Sequence, residues 1–207
     1  EAKTLFTESR MLSRVRPTED IFNDFSKQPL LPTMHSQMGP GIAVGDINRD
    51  GREDLYVSHP AGQEGKIYQQ TDGSGRSTFS ELETKVLAVD AASEDMAPLF
   101  FDADNDGDLD LFVVSGGVEG DLGQKVYRDR LYLNSGSGEF QKAPLGMLPG
   151  SAKSGSVACA ADYDRDGDLD LFVGARLVPG SYPESPQSEL LQNDGGKKFV
   201  DVAAGRL

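Results

Sequence analysis

Phe101-Asp102-Ala103-Asp104-Asn105-Asp106-Gly107-Asp108-Leu109-Asp110-Leu111-Phe112-Val113 sets carboxylates at alternate positions, follows the third with a glycine, and leaves through an apolar run. The pattern returns without gaps as Gly45-Asp46-Ile47-Asn48-Arg49-Asp50-Gly51-Arg52-Glu53-Asp54-Leu55-Tyr56-Val57. It returns again as Ala161-Asp162-Tyr163-Asp164-Arg165-Asp166-Gly167-Asp168-Leu169-Asp170-Leu171-Phe172-Val173. The leading aspartates, 46, 102 and 162, set a period of about 56 to 60 residues. Self-similarity on that scale is the signature of a repeat architecture.

A second element recurs in step with the first. Lys66-Ile67-Tyr68-Gln69-Gln70, Arg130-Leu131-Tyr132-Leu133-Asn134 and Glu189-Leu190-Leu191-Gln192-Asn193 each run through a Gly/Ser/Asp turn towards Phe79, Phe140 and Phe199. Short apolar runs on either side of such turns read as β-hairpins. Each period then holds four strands: one entering the Asp loop, one leaving it, and two arms of the second hairpin. The fold class expected is all-β and β-propeller-type, with about three four-stranded blades.

Residues 41–207 divide into repeats at about 41–96, 97–156 and 157–207. Leu5-Phe6-Thr7-Glu8 resembles the closing Phe199-Val200-Asp201-Val202 and reads as a stray N-terminal strand from a preceding blade. Residues 9–40, punctuated by Pro17, Pro29, Pro32 and Pro40, read as an extended crossover, completing an N-terminal segment of residues 1–40. Three blades do not close a ring, so the chain reads as part of a larger propeller of about seven blades, or as one that associates through its open edges.

The chain has 207 residues, a formal net charge of −14, 24 glycines, no tryptophan and 37% hydrophobic residues. That charge opposes binding to nucleic acid or to an anionic membrane, which both need clustered Lys and Arg. No apolar run reaches the roughly 18–20 residues of a membrane-spanning helix, so membrane insertion is not expected. The chain opens at Glu1 without a charged-then-apolar leader, which reads as a processed or engineered start. One cysteine, Cys159, excludes an internal disulfide framework. Within Val157-Ala158-Cys159-Ala160-Ala161 it reads as a small buried thiol.

Numbered from the leading aspartate, side-chain oxygens fall at positions one, three, five and nine. They are Asp46, Asn48, Asp50 and Asp54 in the first loop; Asp102, Asp104, Asp106 and Asp110 in the second; Asp162, Asp164, Asp166 and Asp170 in the third. Alternate residues of a tightly curled loop can aim their oxygens at one point. Position seven (Arg52, Asp108, Asp168) offers a backbone carbonyl, and position six is glycine, suited to a positive φ. A set of hard oxygen donors suits Ca2+, which takes 6–8 of them, so three calcium ions are expected. An EF-hand needs a Glu at position twelve and flanking helices, whereas Val57, Val113 and Val173 stand there inside strand-like runs. A metal-free Asx turn is the other reading. Three such turns in register, each clustering three or four carboxylates, argue for a cation. Asn48 removes one charge from the first loop, which makes it the weakest expected site.

On these Asp loops the sequence resembles the FG-GAP/VCBS repeat family, the calcium-binding blades also found in integrin alpha-subunit propellers. Gly174-Ala175-Arg176 stands where Gly-Ala-Pro would follow the third loop, and Ser115-Gly116-Gly117 follows the second. The resemblance implies an extracytoplasmic setting and a secreted or cell-adhesion role. It leaves integrin-like partner recognition unassigned.

In a propeller the Asp loops and second-hairpin turns share one face, and the longer loops (58–65, 115–129 and 174–188) lie on the other. Tyr127, Arg128, Arg176 and Tyr182 are the candidate ligand contacts there. Two functions fit. One is a non-catalytic module binding an extracellular protein or carbohydrate, with Ca2+ stabilising the blades. The other is an accessory or catalytic domain of an enzyme degrading extracellular polymers. Only two histidines occur, His35 and His59, both read as structural, and there is no HExxH, GxSxG or P-loop motif. The chain is therefore expected not to be an enzyme.

Overall fold

The computed structural model describes residues 12, 13, 15, 16, 18, 21–38, 40–73 and 76–203. Among these residues, twelve strands form three four-stranded sheets. The first holds β1 (Ile42–Gly45), β2 (Asp54–Val57), β3 (Lys66–Gly73) and β4 (Arg76–Leu82); the second β5 (Glu94–Phe101), β6 (Asp110–Gly116), β7 (Arg130–Asn134) and β8 (Phe140–Lys142). The third holds β9 (Gly155–Ala161), β10 (Asp170–Ala175), β11 (Glu189–Asn193) and β12 (Phe199–Asp201). Spatial order follows chain order and every neighbouring pair is antiparallel. These are propeller-like blades that do not close a ring.

Each Asp loop joins the first two strands of its sheet, whose last pairs are Gly45 with Asp54, Phe101 with Asp110 and Ala161 with Asp170. The sheets meet through their first strands, since β5 contacts both β1 and β9. Among the described residues, the chain before β1 holds no strand and one helical turn, α1 (Asp24–Lys27). The strand expected at residues 5–8 lies outside the described residues.

Period-two alternation along β6 divides its side chains between two cores. Leu111 and Val113 pack with Ala43, Ile47, Tyr56, Ile67, Phe100 and Tyr132, filling the space between the first and second sheets. Phe112 and Val114 pack with Phe101, Leu131, Leu171, Val173, Leu191 and Phe199, between the second and third. A sheet covered on both faces needs apolar residues at every position, which is why Leu111-Phe112-Val113-Val114 is an unbroken run.

Among the described residues, the third sheet is covered on one face only. Ala158 and Ala160 pack against the second core, and the intervening Cys159 is exposed. The expectation of a buried thiol is thus corrected. Alternation along β9 turns Cys159 away from the second sheet, to the face that no other sheet among the described residues covers.

Beneath the seam between the first two sheets lies a polar cluster. Arg130 forms an ion pair with Asp95 at 2.7 Å, and the Tyr56 hydroxyl donates to the same carboxylate at 2.5 Å. Next to it Asp129 accepts a hydrogen bond from the Ser115 backbone at 2.8 Å. Burial, above all, pushes the Asp129 carboxyl up to about 7. The folded chain therefore favours protonated Asp129. That contribution is complete below the ordinary carboxylate range near pH 4 and is lost as pH rises through about 7. Relative to an Asp129→Asn variant, the wild-type melting temperature should fall as pH is raised across this window. Parallel curves for the two proteins would contradict the assignment.

Candidate metal centre

Local hydrogen bonds curl each Asp loop. The leading carboxylates accept from the glycine N–H at position six: Asp46 from Gly51 at 2.7 Å, Asp102 from Gly107 at 3.0 Å, Asp162 from Gly167 at 3.2 Å. The carboxylates at position five accept from the N–H two residues on, with Asp50, Asp106 and Asp166 at 2.9, 2.9 and 3.0 Å. Gly51, Gly107 and Gly167 have φ of 81°, 85° and 101°, the left-handed conformation expected of that glycine. Position four is left-handed as well, with Arg49, Asn105 and Arg165 at φ 59°, 64° and 67°. This feature escaped the sequence reading. Of the three residues only Asn105 has a side chain that favours such a backbone, and a non-glycine residue held there costs about 1–2 kcal/mol.

The consequence is convergence. Asp102, Asp104 and Asp106 can each place one oxygen within 4.8 Å of the others, and Asp162, Asp164 and Asp166 do the same. Burial first, then the charge of Asp106, raises the Asp104 carboxyl above its usual range. Asp102 Oδ1 and Asp104 Oδ1 are buried without a hydrogen-bond partner. Orphaned oxygens in an all-oxygen cluster fit a hard cation, which would satisfy them and offset the repulsion. The first loop differs. Asn48 donates from Nδ2 to Asp50 at 3.2 Å, so an amide already meets part of the carboxylate's demand there.

The position-nine carboxylates do not join these triads. Asp54, Asp110 and Asp170 are buried, and each grips two backbone N–H groups. Asp110 accepts from Ala103 and Asn134, both at 2.8 Å; Asp54 from Ile47 at 3.2 Å and Gln70 at 2.8 Å; Asp170 from Tyr163 at 3.1 Å and Asn193 at 2.8 Å. One carboxylate thereby ties the Asp loop to the second hairpin of its own blade. Burial raises Asp54, and pushes Asp110 up to about 7.

Position seven reaches sideways. Asp108 forms an ion pair with Arg49 of the preceding loop at 2.6 Å, and Asp168 accepts from Asn105 of the preceding loop at 2.5 Å. In each case position four of one loop meets position seven of the next. Arg52, which opens the series, turns instead to Asp50 and Asp72, both at 3.2 Å. A second stitch repeats beside it. Asn134 donates from Nδ2 to Ile47 O at 2.7 Å and Leu109 O at 3.0 Å, and Asn193 to Ala103 O at 3.0 Å and Leu169 O at 3.2 Å. The shared Asn ending the third strand was visible in the aligned repeats as a signal for this contact.

On the long-loop side the structure corrects one expectation. Tyr127 is buried in a turn of 3-10 helix (Lys125–Tyr127) packed on β6, with its hydroxyl donating to Gly120 O at 2.9 Å, so its ring is not presented to a partner. Arg128 lines an open cavity of about 280 Å³ with Lys125, Asp129 and Lys142. Arg176 lines a separate small cavity beside His35. Tyr182 is partly exposed and its N–H donates to Gln28 at 3.2 Å. The candidates do not converge on one pocket.

Antiparallel four-stranded blades joined side by side, each turning through an Asp loop, define a propeller-type repeat protein. The FG-GAP-like repeat model matches residues 102–173 and the FG-GAP repeat model residues 38–76. The chain belongs to the FG-GAP repeat family. It is 25% identical to cartilage acidic protein 1 of Xenopus tropicalis over 66% of this chain and 21% of that protein, and 24% identical to its human counterpart over 77% and 23%. It is 28% identical to integrin alpha-V of Gallus gallus over 77% of this chain and 15% of that protein. The chain thus spans less than a quarter of the length of the curated relatives it matches.

Proposed function

We propose that the chain is a calcium-binding, non-catalytic part of an extracellular propeller, in which the ions brace the blades and the long-loop side meets a protein or carbohydrate partner. The observation that carries the calcium reading is the converged triad of the second loop, with two buried carboxylate oxygens lacking partners. Asp102, Asp104, Asp106, Asp162, Asp164 and Asp166 would hold ions in the second and third loops, with Asp46, Asn48 and Asp50 in the first. The carbonyls of Arg52, Asp108 and Asp168 would add further donors, while Asp54, Asp110 and Asp170, each held by two backbone N–H groups, brace the loops from outside the triads. A bound cation supplies charge compensation that holds each loop closed over its strand pair.

Calcium sites of modest affinity stay filled where calcium is near millimolar, which supports an extracytoplasmic setting. So does similarity to an integrin alpha chain and a cartilage protein. The test is a calorimetric calcium titration of wild type beside Asp50→Asn, Asp104→Asn and Asp164→Asn. Each variant should lose one binding step, and Asp50→Asn the weakest. Loss of the tightest step in Asp50→Asn would overturn the ranking. A wild type that takes up no calcium would overturn the function.

A further inference from the structure

The outer face of the third sheet repeats a face that is already an interface. Ala97, Leu99, Phe101 and Phe112 of the second sheet pack towards the third. Their equivalents, one repeat later, are Val157, Cys159, Ala161 and Phe172. All four are exposed: Phe172 is 38% accessible where Phe112 is 0%, and Val157 is 51% accessible. At the rim stands Arg165, in the left-handed position-four conformation that its counterparts Arg49 and Asn105 use to reach position seven of the next loop. Among the described residues the Arg165 guanidinium has no partner.

In the larger propeller expected from the repeats, this face meets the next blade; we infer that Arg165 selects a blade carrying a carboxylate at position seven of its Asp loop. The argument is continuity. The apolar alternation, the backbone twist at position four and the lateral reach to position seven each occur at both existing seams, and the third loop repeats the donor side of the pattern. A second copy of this chain does not supply the acceptor. Its first loop carries Arg52 at position seven, already engaged with Asp50 and Asp72, so head-to-tail stacking would set Arg165 against Arg52. A two-fold contact between outer faces that brought the two Asp-loop rims together would set Arg165 against Arg165. Like charges at such a contact select against both self-assemblies. Arg165 is thus a specificity residue, and the open face is protected from pairing with its own kind. This inference rests on the fold and not on the calcium reading.

The test inserts, directly after residue 201 of the full chain, a copy of its own residues 143–201, the copy carrying Cys159→Ser, with residues 202–207 following the copy. The appended blade then presents its own Asp168 to Arg165, and the native Cys159 reports coverage of the face through its rate of thiol labelling. Labelling should slow at least ~10-fold relative to the unextended chain, as protection by a packed surface requires. Arg165→Asp should reverse that protection, and Asp168→Arg in the appended copy should restore it. Apolar coverage alone would give no such rescue. The internal pair provides the same reading without an appended blade: Arg49→Asp should destabilise the chain, and Arg49→Asp with Asp108→Arg should recover it. Undiminished labelling of the extended chain, indifference to Arg165→Asp, or failure of the Arg49/Asp108 exchange would each overturn the inference. So would self-association of the unextended chain that shields Cys159.

Discussion

Asp110→Ala is expected to destabilise the chain by about 2–6 kcal/mol, with or without calcium, because it strands two buried backbone donors at about 1–3 kcal/mol each. The Ala103 and Asn134 N–H groups both end on this one carboxylate, which is fully buried. A loss of that size is a large part of the roughly 5–15 kcal/mol that holds a domain folded. Asp110→Asn keeps one acceptor and should lose less. Asp104→Asn gives the opposite signature. Its Oδ1 has no partner, so removing its charge should leave the chelated protein unchanged or slightly firmer and weaken it only when calcium is present. Denaturant unfolding in chelator and in calcium separates the two. If Asp110→Ala and Asp104→Asn are equally stable in chelator, the bracing role assigned to position nine fails.

Phe112→Ala should cost about 3–5 kcal/mol, the range for emptying a fully packed aromatic site. Phe112 lies between the second and third sheets with no exposed surface. Phe172 occupies the same place in the next repeat and is 38% accessible, so Phe172→Ala should cost under about 1 kcal/mol, as partly exposed positions do. The same chemical change at equivalent positions thus measures what covering one face of a blade contributes. Equal losses from the two variants would mean that the seams between sheets are not where the stability resides.

The blades, the Asp loops and the glycine at position six were legible because each is local and occurs in triplicate. A turn of nine residues carries its own hydrogen-bond pattern, and repetition removes the ambiguity that any single Asp-rich turn would have. Position four was not legible, since arginine has no preference for a left-handed backbone; the loop imposes it on Arg49 and Arg165. The grip of Asp110 on Asn134 joins residues 24 apart in sequence, and no local rule pairs them. Cys159 shows a different limit. Alternation tells which residues share a face of β9 but not whether a neighbour covers that face. Tyr127 shows a third, because a tyrosine in a long loop reads as a surface contact until the loop is seen to fold the ring inward against Gly120.

Calcium as a structural brace is tested most directly by thermal unfolding of the intact chain in calcium, in magnesium and in excess chelator, with bound metal counted by elemental analysis. The expected result is a calcium-specific rise in melting temperature with about three ions per chain. Each filled site contributes about 2.7 kcal/mol when calcium is a hundredfold above its dissociation constant. No shift between calcium and chelator, together with no bound metal, would make the Asp loops plain turns and contradict the brace.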